Sequence, residues 1–107
     1  MSRAEAPIDD AGCAIKLKAL ADATRLAVVE ALMTGPRHVG ELAGELGVEQ
    51  SLLSHHLRVL RGVGILEATR DGKAVLYALA PGVKGVPSAK TIHLGCCQLS
   101  FANERTQ

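Results

Sequence analysis

One stretch constrains the fold more than any other: HVGELAGELGVEQSLLSHHLRVLRGVG, residues 38–64. Val39, Leu42, Ala43 and Leu46 recur at helical spacing for about two turns. Gly47 then permits a left-handed turn, Val48 fills the gap behind it, and a longer helix is expected from Gln50 to Arg61. Two helices joined by a tight, glycine-containing turn form a helix-turn-helix unit. The longer helix separates its tasks by face. Leu53, Leu57 and Leu60 stand at i, i+4 and i+7 and pack inward, while Gln50, Ser51, Ser54, His55 and Arg58 form the outward set. That set is short, hydrogen-bonding and partly cationic, which suits a helix laid in a DNA major groove. His56 shares the flank of Leu53 and Leu60, so core packing and DNA contact are both open to it.

The flanking segments complete a domain around this unit. GCAIKLKALA, with Ile15, Leu17 and Leu20, reads as a first helix. A second begins behind a capping Asp22, places Leu26, Val29 and Met33 at helical spacing, and stops at Gly35-Pro36. After the long helix, ILEATRDGKAVLYALA reads as a β-hairpin. Asp71-Gly72 is a two-residue turn signal. Pairing Arg70 with Lys73 sets Ala68 opposite Val75 and Leu66 opposite Tyr77, with Leu66, Val75, Tyr77 and Leu79 on one buried face. Arg70 and Lys73 then sit at the tip, in reach of backbone phosphate. The expected architecture is mainly α with a β-hairpin wing, a winged helix-turn-helix, in one domain over residues 1–107.

Composition narrows the function classes. At 107 residues a lone core is small, and dimerisation is a ready way to bury more surface. An aromatic content of 2% argues against a single-strand binder that stacks bases on aromatic platforms. No apolar run reaches the length of a membrane span, and the opening MSRAEAPIDD is too acidic and polar for a signal peptide, so a cytoplasmic protein with reduced thiols is expected. The net charge of +1 hides an asymmetry: residues 50–80 carry 4 basic and 2 acidic side chains, whereas residues 1–49 carry 5 and 8. The basic surplus begins where the DNA-facing helix begins.

KALADATRLAVVEAL, ELAGELGVEQSLLSHHLRVLRGVGIL and RDGKAVLYAL together resemble the ArsR/SmtB family of metal-sensing winged-helix repressors over residues 15–80. The resemblance implies a homodimer that holds double-stranded operator DNA and lets go when an inducer ion binds. It places Ser51, Ser54 and His55 in the DNA-reading helix and Arg70 and Lys73 on the wing. It does not name the inducer. The familiar arsenic site of the family is a Cys-Val-Cys before the recognition helix, and the aligned stretch here is His38-Val39-Gly40. A zinc site between C-terminal helices also fails, since the tail at 81–107 offers only His93 and Glu104, and PGVKGVPSAK is a poor helix.

The thiols lie elsewhere, at Cys13 and at the adjacent Cys96 and Cys97 of HLGCCQLSF. Ile92, Leu94 and Cys96 follow one two-residue phase, and Cys97, Leu99 and Phe101 follow the other. In a regular strand adjacent side chains point to opposite faces, so a bulge or turn at Gly95-Cys96-Cys97 is needed to bring both sulfurs together. Two thiolates with Cys13 as a third would make a trigonal site for As(III) or Sb(III), with no organic cofactor. Terminal segments of the family meet around the dimer axis, which allows Cys13 of one subunit to join Cys96 and Cys97 of the other. A second reading makes the cysteines a redox or reactive-sulfur switch on the same DNA-binding fold. A small thiol enzyme lacks an anion cradle around either cysteine. A winged helix that binds only protein is disfavoured by the outward Ser54, His55 and Arg58.

Overall fold

The computed structural model describes residues 6–102. Four helices and six short strands follow in order: α1 (Ala6–Ala19), α2 (Ala23–Leu32), β1 (Arg37–His38), α3 (Val39–Leu46), α4 (Gln50–Gly62), β2 (Leu66–Asp71), β3 (Ala74–Leu79), β4 (Lys84–Val86), β5 (Thr91–His93) and β6 (Gln98–Ser100). A single 3₁₀ turn, Pro87–Ala89, joins β4 to β5.

Local chemistry sets the helix ends. The Asp22 carboxylate accepts the Arg25 N–H at 3.0 Å and caps α2. Gly47, at φ 65°, closes α3 in the left-handed conformation expected of it. Glu49 then caps α4 by accepting the Leu52 N–H. The inward leucines of α4 behave as their spacing predicts: Leu53, Leu57 and Leu60 are wholly buried, with Val28 and Val29 of α2 and Leu42 of α3. α1 begins earlier than the apolar pattern indicates, at Ala6. Of Ile15, Leu17 and Leu20, only Leu20, just past its end, is buried; Ile15 and Leu17 stay exposed.

The wing is present with a shifted register. Asp71 pairs with Ala74, Arg70 with Val75, Ala68 with Tyr77 and Leu66 with Leu79, so the two-residue loop is Gly72-Lys73 and not Asp71-Gly72. Gly72 takes φ 67° as the first loop residue, the glycine position of a type II′ turn. Asp71 is drawn into the strand, where its carboxylate meets the His38 ring. A slip of two residues keeps every side chain on its original face. Leu66, Val75, Tyr77 and Leu79 therefore still share one side, although only Leu66 is fully buried. The two-residue β1, which no sequence pattern announced, adds to β3 and makes a sheet of order β1-β3-β2.

The tail folds as a second antiparallel sheet of order β4-β5-β6. Ile92 and Leu94 drop into the same core as the α4 leucines. Lys90 reaches Glu30 of α2 at 3.0 Å. β4 crosses the end of α2 so closely that a Cβ on Gly85 would lie 2.7 Å from Met33 Cγ. The region after the wing is thus packed onto the helical body as strands, in keeping with its poor helix chemistry.

Candidate functional site: an exposed polar helix face and a three-cysteine cluster

α4 presents Gln50, Ser51, His55 and Arg58 to solvent, with Ser54 half-buried among them. Arg70 and Lys73 are exposed at the wing. Every residue expected to face DNA is therefore on an accessible surface of α4 or the wing. Two details were not legible beforehand. The Ser51 hydroxyl donates to both Glu49 carboxylate oxygens, at 2.8 and 2.9 Å. That bond, with the capping of Leu52, holds the Glu49 carboxyl below its ordinary value. A carboxylate thus stands at the leading end of α4; the only sequence signal for it is its place just ahead of Gln50. The second detail settles His56. It is 8% exposed, and its Nδ1 accepts a hydrogen bond from Arg25 Nε at 3.1 Å. His56 is part of the packing behind α4 and does not belong to the exposed face.

The closing end of the wing carries a clasp. His38 Nε2 lies 2.9 Å from Asp71 Oδ2 and its Nδ1 lies 3.2 Å from Glu41 Oε1. The Asp71 contact, helped by Glu41 and opposed by desolvation, raises the His38 pKa above its ordinary value. Glu41, which also accepts the His38 backbone N–H at 2.7 Å, is held below its own. The clasp ties the start of α3 to the closing pair of the wing.

The cysteines converge where α1 meets the chain after β5. After β5 the chain turns at Leu94–Cys97, closed by the Leu94 N–H donating to the Cys97 carbonyl at 2.8 Å, with Gly95 at φ 96°. The two-residue phase slips here because the chain reverses into β6, a turn where a bulge was the other option. Cys96 is exposed on this turn and Cys97 is half-buried. Cys13 projects from α1 against them. Its Sγ is in disulfide contact with Cys96 and 3.0 Å from Cys97 Sγ, and the Cys96 and Cys97 sulfurs are 3.8 Å apart. Lys16, one turn further along α1, donates from Nζ to the Leu94 carbonyl at 3.1 Å and pins the turn to the helix.

All three sulfurs lie within 4.8 Å of one another in one chain, so they meet without any contribution from a second subunit. Among the described residues this is the one group of three or more Cys, His, Asp or Glu side chains close enough to share an ion. His38, at the position of the familiar family thiol, is engaged in the wing clasp instead.

A helix-turn-helix with an exposed polar recognition face, followed by a basic-tipped hairpin packed on the same core, defines a winged-helix DNA-binding regulator and not an enzyme. Residues 22–68 match the bacterial regulatory protein, arsR family, and the chain belongs to that family. It is 42% identical over 81 residues to the HTH-type transcriptional regulator NmtR of Mycobacterium tuberculosis, covering 73% of this chain and 68% of that one. It is 48% identical over 63 residues to the regulator CmtR of Mycobacterium bovis, of which it spans 53%. Among solved structures, reduced HlyU of Vibrio cholerae superposes with a TM-score of 0.67 at 34% identity, over 71% of this chain and 80% of HlyU. The homodimeric winged helix-turn-helix DNA-binding domain of Mb0332 from Mycobacterium bovis gives 0.65 at 32% identity, over 75% and 73%.

Proposed function

We propose that this chain is a homodimeric repressor that holds operator DNA through α4 and the wing and releases it when As(III) or Sb(III) binds Cys13, Cys96 and Cys97. The observation that carries this reading is the convergence of three sulfurs within 4.8 Å, with no imidazole or carboxylate among them. An all-sulfur set of three favours a soft, thiophilic ion over zinc, whose closed structural sites take four ligands. The homodimer is supported by the likeness to Mb0332, and two copies would set two α4 helices about one DNA turn, roughly 34 Å, apart. In this arrangement Gln50, Ser51, Ser54, His55 and Arg58 meet base edges and phosphates, and Arg70 and Lys73 meet the backbone beside them. Such a repressor works in the cytoplasm, where its operator lies and thiols are kept reduced. Binding an inducer that favours the non-binding geometry must, by linkage, be weakened by DNA.

One observation favours a second reading. The Cys13–Cys96 disulfide is the product of a two-electron oxidation: peroxide takes two protons and two electrons from two thiols and leaves as two waters. On this reading the same cluster reports oxidant in place of metalloid. The two readings separate on the free protein. Reduced wild type is expected to bind one As(III) per chain, read as sulfur-to-arsenic ultraviolet absorbance. Cys13→Ser, Cys96→Ser and Cys97→Ser should each lose at least about tenfold in that affinity while operator binding is kept, a factor worth about 1.4 kcal/mol. Undiminished As(III) binding by all three variants would remove the cluster as the metalloid site.

A further inference from the structure

The thiol cluster and the recognition face lie on different elements, and one side chain makes a polar link between those elements. Arg25 of α2 donates from Nη1 to the carbonyl of Ala19, the last residue of α1, at 3.1 Å. The same guanidinium donates from Nε to His56 Nδ1 on α4 at 3.1 Å. Its Nη2 is 4.0 Å from Asp22, the cap of α2. Beside this link, α1 and the C-terminal part of α4 border a largely apolar groove lined by Ile15, Lys18, Ala19, Arg25, Val59 and Val63. Apolar contacts are non-directional and tolerate sliding. Hydrogen bonds from a planar, rigid fork do not.

α1 is held near its middle and at its C-terminus. Towards its middle, Cys13 and Lys16 fasten it to the Leu94–Cys97 turn; at its C-terminus, Ala19 fastens it to Arg25. A helix moves as a rod, so a change in how Cys13 sits against the turn displaces the Ala19 carbonyl. Arg25 must then either follow, dragging His56 and with it α4, or release one of its two partners. His56 is neighbour to His55 and two residues from Ser54 and Arg58.

We propose that Arg25 is a positioning residue that transmits the state of the thiol cluster to the recognition helix. The proposal rests on the cluster being a sensor, as argued above, and is independent of which agent closes it. Its structural content is a helix gripped by directional bonds near its middle and at its C-terminus, and a rigid element held in this way can carry coupling between sites.

The test measures operator affinity by fluorescence anisotropy in three states of the full chain: reduced, As(III)-treated, and oxidised to the Cys13–Cys96 disulfide with peroxide. Wild type is expected to lose about tenfold or more between the reduced state and at least one closed state, within the usual span of allosteric coupling. Arg25→Gln and, independently, His56→Leu should shrink that loss to less than about threefold, with As(III) affinity of the free protein within about twofold of wild type. His56→Asn, whose side-chain oxygen sits near the Nδ1 position, should retain the wild-type response. Circular dichroism melts establish that each variant is folded, and the two removal variants back one another if either is not. Folded Arg25→Gln or His56→Leu responding as wild type does would overturn the relay and leave the sensor standing. A wild type that answers the disulfide but not As(III) removes the metalloid reading, and the relay is then decided on the oxidised state. A wild type indifferent to both removes the sensor and the relay together.

Discussion

Arg58 and His38 show how much a single side chain carries here. Arg58 is exposed on α4, one turn beyond Ser54, where a guanidinium can pair with guanine or phosphate. Arg58→Ala is expected to weaken operator binding by about 1–3 kcal/mol with or without inducer; anisotropy showing unchanged affinity would displace α4 from its role. His38 makes a different claim. Its pKa is raised, chiefly by the bond to Asp71, so the clasp favours the folded state most fully below the ordinary histidine value of about 6.5 and fades as pH rises through the raised one. Glu41 has the opposite sign: its contribution is present above the ordinary carboxylate range and fades as pH falls through its lowered pKa. Wild type should therefore lose stability relative to His38→Ala on going from mildly acidic to alkaline pH, measured by denaturant melts. A stability difference flat across that range would show that the clasp does not hold in solution. The cysteines were legible as a group because adjacent thiols with a phase slip after Gly95 ask for a chain reversal. The part played by His56 was not, because its partner Arg25 is 31 residues away and on another helix.

At the scale of elements, legibility followed how local the determining interactions are. α3 and α4 could be read residue by residue because their helical spacing and the Gly47 turn all lie within the segment. The wing could be read as a hairpin but not in register: Asp71-Gly72 and Gly72-Lys73 both place glycine in a two-residue loop, and a contact from His38, outside the hairpin, favours the second. β1 is two residues long and exists only because β3 passes beside it. β4, β5 and β6 are three residues each, too short to show a period, and their pairing depends on Ile92 and Leu94 finding the helical core. Gly85 is where that packing is tightest. Gly85→Ala would push a methyl against Met33 near its backbone, and overpacking of this kind costs about 1–3 kcal/mol. A calorimetric melt should show a clear fall in Tm for Gly85→Ala and little change for Gly82→Ala, whose added methyl meets open space. Equal melting temperatures would mean that β4 does not lie against α2.

Across the whole molecule the tail sheet does two jobs. It extends the hydrophobic core beyond the winged helix through Ile92 and Leu94, and its β5–β6 turn carries two of the three sulfurs to α1. On the proposed function the sensor sits where α1 meets this turn, and α1 in turn packs against α4. The proposed function requires a connection between thiols and operator. Its most direct measurement is anisotropy of a labelled inverted-repeat operator with fully reduced protein, titrated separately with As(III), Zn(II) and peroxide. Tight operator binding is expected to collapse as As(III) approaches one per chain and to persist with equimolar Zn(II). Operator binding that persists with all three cysteines saturated by As(III) would contradict it.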